Sequence, residues 1–404
     1  MKKTLLALTL SGLLTACGGD SSNDSSSTPQ PPQSSSKIGV LTDGVIIGAN
    51  YTINGVTKQT NDRGEFEYQE GDEITFSVGD IPIGTVKAAE RITPLELAKD
   101  EKAQLNLMVF LQSLDTEGDH DDGITIPPDL SSISKETINF SAAPEEFAQN
   151  LQTQLKNIPE LQNKSVVSPE KAKENFSKTI LKDIAGIWYV QGTEEDESPI
   201  ALIIKEDGSY IMGEVVLNDE EKEFNGMEVG KIDSYDPITG IFTASATLDT
   251  NQDWGLTDFG KPRNMVLQFD GTQLLIQEEK NPEESATFSR LPNTVNGIIG
   301  AWQSPASHIF IFNANNTYLL LDPVGDDQVE PGDTPCGGPG IEYGKYRVLD
   351  NKLYIDPRDI IIDTNGCAGL SDTNAQSGLS LNVQADKLTF TVAGEGSYTL
   401  NRYK

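Results

Sequence analysis

One long stretch of this chain occurs twice. Gly186-Ile187-Trp188 returns as Gly300-Ala301-Trp302, and Gly226-Met227-Glu228-Val229-Gly230-Lys231 returns as Gly340-Ile341-Glu342-Tyr343-Gly344-Lys345, both 114 residues later. Asp249-Thr250-Asn251 matches Asp363-Thr364-Asn365, and Gly255-Leu256-Thr257-Asp258 matches Gly369-Leu370-Ser371-Asp372, at the same spacing. Phe288-Ser289-Arg290 answers Leu400-Asn401-Arg402 at 112. Self-similarity at a fixed period is the mark of a repeated structural unit, so 184–292 and 297–404 are two copies of one domain. Each copy is a series of short strand-like runs, such as Ile200–Ile204, Ser209–Met212 and Leu274–Gln277, then Phe310–Phe312, Tyr318–Leu321 and Leu388–Val392. Turn residues such as Glu206-Asp207-Gly208 and Asn313–Asn316 separate them. That pattern suits a small up-and-down β-barrel or a compact sandwich.

The Gly-x-Trp opening and the closing arginine of each copy resemble the lipocalin signature. The resemblance implies that an arginine packs over the tryptophan near the closed end of a barrel, pairing Trp188 with Arg290 and Trp302 with Arg402. The copies are shorter than lipocalins, so a barrel filled by its own side chains is expected rather than a roomy cavity.

Residues 38–183 read differently. Gly39-Val40-Leu41, Val45-Ile46-Ile47, Phe66-Glu67-Tyr68, Ile74–Val78 and Ile81-Pro82-Ile83 are short β-type runs, punctuated by Asp43-Gly44, Asn54-Gly55, Arg63-Gly64 and Glu70-Gly71-Asp72. Helices follow from residue 93. Thr93-Pro94-Leu95-Glu96 is a capping box with proline at the first helical position. Phe147, Leu151 and Leu155, then Ala172, Phe176 and Ile180, recur every four residues as core-facing stripes. The fold class is therefore mainly β: an α+β unit over 38–183 (a small β-sandwich, 38–92, plus helices, 93–183), then two tandem β domains.

The N-terminus gives an address. Met1-Lys2-Lys3 is followed by an apolar run from Leu5 to Leu14, too short to span a membrane. Leu14-Thr15-Ala16-Cys17 resembles the lipobox of bacterial lipoproteins. That resemblance implies a signal peptide over 1–16 and an acylated Cys17, carrying chains such as palmitate, that anchors the protein to a membrane. Gly18-Gly19 after the cysteine, with no aspartate at the second position, implies sorting to the outer membrane. Residues 17–37 are Ser-, Pro- and Gly-rich and cannot bury enough apolar surface to fold, so they form a tether.

Within 38–183, Gly39-Val40-Leu41-x-Asp43, Gly64-x-Phe66-x-Tyr68-x-x-Gly71-Asp72-x-Ile74-Thr75-Phe76-x-Val78-Gly79 and Ile92-Thr93-Pro94-Leu95 resemble the opening domain of large bacterial surface lipoproteins and adhesin-like proteins. So does the stretch from Asn106 to Ile126. The resemblance implies presentation outside the cell or in the periplasm, and binding rather than catalysis.

With 62 acidic against 30 basic residues the formal charge is −32. A field of that sign repels phosphate backbones, so nucleic acid is not an expected partner. Cys17 is taken by the lipid, and the remaining pair, Cys336 and Cys367, reads as a disulfide in an exported protein. Asp115, Glu117, Asp119 and Asp121 alternate around Gly118 and form a candidate calcium loop, since Ca²⁺ takes six to eight oxygens. Asp249–Asp253 is a weaker version. Enzyme signatures are missing: His120 and His308 are the only histidines, and no nucleophile elbow, His-Glu-x-x-His, P-loop or Cys-x-x-Cys occurs.

The sequence therefore points to a non-enzymatic, lipid-anchored envelope protein, adhesin-like, binding a protein, glycan or small molecule, and displayed at the cell surface rather than toward the periplasm. The alternative is a periplasm-facing carrier with a small apolar ligand in one barrel. A carboxylate-based glycan hydrolase is the distant third, because so many acids guarantee close pairs somewhere.

Overall fold

The two copies fold as two β-barrel-like units that share an interface built from the same strands of each. The computed structural model describes residues 36–191, 198–292, 294, 297–325, 337–366, 369–371, 373, 375–392 and 396–403. Cys17, Cys336 and Cys367 lie outside the described residues, so the lipid attachment and the disulfide are not addressed by it.

The first copy is a closed barrel of eight strands in up-and-down order: Gly186–Val190, Ile200–Ile204, Ser209–Glu214, Gly226–Tyr235, Ile241–Asp249, Asn264–Phe269, Gln273–Glu278 and Ser285–Arg290. It closes where the first and last strands pair, Trp188 opposite Arg290. The second copy forms a curled ten-stranded sheet rather than a barrel of eight. Two of its strands are broken: Gly340–Lys345 resumes as Arg347–Leu349 beyond Tyr346, and Lys352–Tyr354 is followed by Ile360–Asp363. Each fragment pairs as the matching half of the unbroken strand in the first copy does, so the order of neighbours is kept.

Strand Ile200–Ile204 shows why these sequences are apolar without alternation. Leu202 and Ile204 face the barrel interior, while Ala201 and Ile203 face outward into a second cluster with Ile309, Ile311, Leu319 and Leu321 of the other copy. A strand buried on both faces reads as a continuous apolar run. The interface is self-complementary in sequence. Met227 and its counterpart Ile341, and Leu248 and its counterpart Ile362, all sit in it. Gly213 has no side chain because Leu321 occupies that space. Asn313 donates across the boundary to the Tyr189 hydroxyl at 3.0 Å.

The floor of each copy repeats one device. Arg290 stacks over Trp188 with its guanidinium carbon 4.3 Å from the ring centroid, and Arg402 stacks over Trp302 at 4.0 Å. Both indole N–H groups donate to a carbonyl four residues upstream, Ile184 and Ile298, at 2.7 Å. In the first copy that carbonyl ends helix Pro169–Ile184, and Arg290 adds bonds to the carbonyls of Asp183 and Ala185 at 2.6 and 2.9 Å. The orphan carbonyls of a helix terminus are thus satisfied by the barrel. Gly186 adopts φ +131° and faces the Arg290 guanidinium, where a Cβ would lie 2.5 Å from Nη1, which explains the glycine of Gly-x-Trp.

The N-terminal unit packs against this floor. It holds a three-stranded sheet, a four-stranded sheet and a two-stranded ladder, with helices Pro94–Leu97, Glu101–Ser113, Pro144–Leu155 and Pro169–Ile184. The Thr93 capping box forms, and both apolar stripes are buried. Helix Glu101–Ser113, which has no one-sided stripe, is buried over Asn106–Ser113. Arg91 pairs with Asp183 at 2.7 Å and stacks on Phe269, which itself packs edge-on against Trp188. The core is therefore continuous from this unit into the first barrel. Among the described residues no helix is long and apolar enough to cross a membrane.

Candidate functional site

The end of the first barrel opposite Trp188 is not filled by side chains. A cavity of about 680 Å³ opens there, between the ends of strands Ile200–Ile204, Ser209–Glu214, Asn264–Phe269, Gln273–Glu278 and Ser285–Arg290. This corrects the expectation of a filled barrel. Its apolar wall is Ile200, Met212, Met265, Ile276 and Phe288, all inward positions, together with Leu256 from the loop across the mouth.

That loop, 250–263, is anchored by Glu228. The Glu228 carboxylate is wholly buried and accepts from the Tyr210 hydroxyl at 3.1 Å, the Leu256 and Thr257 amides at 3.0 Å, and the Thr257 hydroxyl at 2.5 Å. Burial pushes its pKa up, opposed by these donors; burial and the neighbouring charge push the Tyr210 hydroxyl up as well. Gly255, at φ +87°, lets the backbone reach the carboxylate, since a Cβ there would lie 2.8 Å from the Glu228 carboxyl carbon. The second copy repeats the arrangement: Glu342 accepts from Tyr318 at 2.5 Å and from the Leu370 and Ser371 amides at 3.1 Å, facing Gly369. The repeated Gly-x-Glu and Gly-Leu segments are therefore one bonded unit.

Glu214 is the polar group that faces the cavity from depth. It is 5 % exposed and lines the cavity; Asn251 donates to its Oε2 at 2.7 Å. Among the described residues no donor reaches its other oxygen. Burial raises its pKa to about 7, helped by the charges of Glu228 and Asp249 and opposed by Asn251 and Arg263. Among the described residues Arg263 is the single cationic side chain of the lining, and its two terminal nitrogens donate to the carbonyls of Asp253 and Gly255 at 3.0 and 2.5 Å. Asp253, Asp258 and Glu284 stand at the exposed rim, with Glu278 half-buried below them.

In the candidate calcium loop the carboxylates of Asp115, Asp119 and Asp121 turn to separate partners. Asp115 is buried, and its carboxylate accepts the amides of Glu117, Gly118 and Thr125 at 2.6–3.2 Å. Asp119 caps the Asp121 amide, Asp121 pairs with Lys182 at 3.3 Å, and Glu117 is exposed. The carbonyls of Asp115 and Thr116 receive the Lys164 ammonium at 2.8 and 2.7 Å. An internal cation of the chain thus sits where loop oxygens gather, and no group of three or more ligating side chains occurs among the described residues. His120 in the same loop is half-buried, and burial lowers its pKa to about 4 against the opposing charges of Asp115 and Asp121. The weaker run Asp249–Asp253 serves the barrel mouth, through Asn251 on Glu214 and Asp249 on the Gln252 amide.

Sequence reasoning missed Glu214 and Arg263 entirely, and it met Glu228 and Glu342 only as repeat markers. Comparison with models of known protein families, with curated proteins and with solved structures finds no match.

Proposed function

We propose that this chain is a lipid-anchored envelope protein that binds a small molecule in the mouth of its first barrel. The observation that carries the reading is the cavity of about 680 Å³ with apolar walls and one buried, accessible carboxyl group, the usual make-up of a ligand pocket. Of the functions legible in the sequence, this supports the small-molecule carrier over an adhesin-like contact surface. Anchoring and display on the outer membrane rest on Leu14–Cys17 and the tether that follows.

Binding is tested with a neutral apolar fluorophore, N-phenyl-1-naphthylamine, against the full chain carrying Cys17→Ser. Saturable binding at one site, with a change in Trp254 emission, is expected; Met212→Trp, which fills the cavity, is expected to abolish it. Equal binding by the two proteins, or none by either, removes the reading. Protease shaving of intact cells tests display: protection until the envelope is lysed would place the protein on the periplasmic face.

A further inference from the structure

We infer that the ligand of the first barrel is an amphipathic cation, a protonated amine on an apolar body, with the Glu214 carboxylate as its counter-ion. The inference rests on the cavity being a ligand site, and it follows from how charge is arranged there. Glu214 is more than nine-tenths buried, lines the cavity together with Met212, Met265 and Ile276, and presents an oxygen that no described donor reaches. A buried carboxyl group with one open acceptor is poorly solvated, so an N–H⁺ donor delivered by a ligand completes it.

The alternative charge types fit less well. An anionic head would have to meet Glu214, Glu278 and three rim carboxylates, with Arg263 as the one cation of the lining among the described residues. Arg263 already gives both terminal nitrogens to loop carbonyls, and its Nε, although without a hydrogen-bond partner, is buried out of reach of solvent. A neutral polar head would leave the open oxygen with a weaker partner than an ammonium supplies. The rim acids Asp253, Asp258 and Glu284 add a field that draws cations toward the mouth and weakens with salt.

Protonation enters the same way. The groups facing Glu214 are Asn251 and Arg263 from the loop and the carboxylates of Glu228 and Asp249. Its proton is held to about pH 7, so a cation binds best once the carboxyl group has ionised or gives up its proton on binding. Binding of an ammonium by the wild type therefore strengthens from pH 5 to pH 8, whereas binding of an alcohol does not.

The test compares three probes with one tail, octylamine, octanol and octanoate, by calorimetry at pH 8 on the full chain carrying Cys17→Ser. Octylammonium is expected to bind at least tenfold more tightly than either of the others. In Glu214→Gln the preference is expected to fall to within about twofold while octanol binding is kept. The wild-type comparison at pH 5 supplies the same contrast without a substitution. Octanoate or octanol binding as tightly as the amine overturns the cation assignment and leaves the cavity reading standing. Failure of all three probes to bind overturns both.

Discussion

Asn251 donates to Glu214 across the mouth of the first barrel at 2.7 Å, while the matching pair of the second copy, Asn365 and Asp322, makes no such bond. Asp322 sits opposite Gly340 as Glu214 sits opposite Gly226, but its shorter carboxylate turns to the amides of Val324 and Gly325, with His308 at 3.4 Å. The two matched acids thus make different contacts: Glu214 lines the cavity, and Asp322 closes a turn.

The buried acid makes stability depend on pH. Glu214 has its folded pKa raised to about 7 from an ordinary 4.5, so its contribution is fully present below pH 4.5 and is lost as pH rises through 7. That range corresponds to about 3 kcal/mol for one fully buried group. Relative to Glu214→Gln, the wild type should therefore lose about 3 kcal/mol between pH 4 and pH 8 in urea denaturation. A constant difference between the two proteins across that range would contradict it.

Glu228 and Glu342 should each be costly to remove. Alanine at either position strands a tyrosine hydroxyl and two backbone amides, and a loss of about 3 kcal/mol or more is expected. Tyr210→Phe removes one donor of several and should cost about 1 kcal/mol. A double-mutant cycle of Glu228 with Tyr210 should show coupling, and additive losses would mean that the bond contributes nothing.

Gly213 and Leu321 belong to one packing unit between the two copies. Gly213→Ala should destabilise by about 1–2 kcal/mol through overpacking, and Leu321→Ala by about 2–3 kcal/mol through a cavity. The double variant should lose less than the sum, because the new methyl occupies space the leucine has left. Strict additivity in thermal melts would show that the two side chains do not compete.

Lys164 should behave as the internal cation of the acidic loop. Lys164→Met strands the carbonyls of Asp115 and Thr116 and should cost about 1–2 kcal/mol. Added Ca²⁺ should leave the melting temperature of the wild type unchanged, since a cation bound only by the folded state must raise it. A rise of several degrees with Ca²⁺ would restore the loop as a metal site.

Much of the architecture was legible because it depends on local pattern. The 114-residue spacing of Gly-x-Trp, Gly-x-Glu and Gly-Leu marked two copies, and in each copy the closing arginine pairs with the opening tryptophan. The reason these residues recur was not legible: Gly255 and Glu228 lie 27 positions apart and become neighbours only when the loop folds over the mouth. Asp115, Asp119 and Asp121 look like ion ligands in a linear reading, because alternation shows which acids are near one another and not where their oxygens point. Lys164, 49 residues from Asp115, is what fills that loop.

The sequence by itself determined the duplication, the strand-rich class and the helical stripes, since repeat spacing and side-chain periodicity are properties of a one-dimensional string. Only the tertiary structure decided that the first barrel keeps a cavity and that Glu214 faces it. Both depend on which side chains meet across non-neighbouring strands, and on burial, which sets the charge of a carboxyl group through solvation that no residue carries in its own letter.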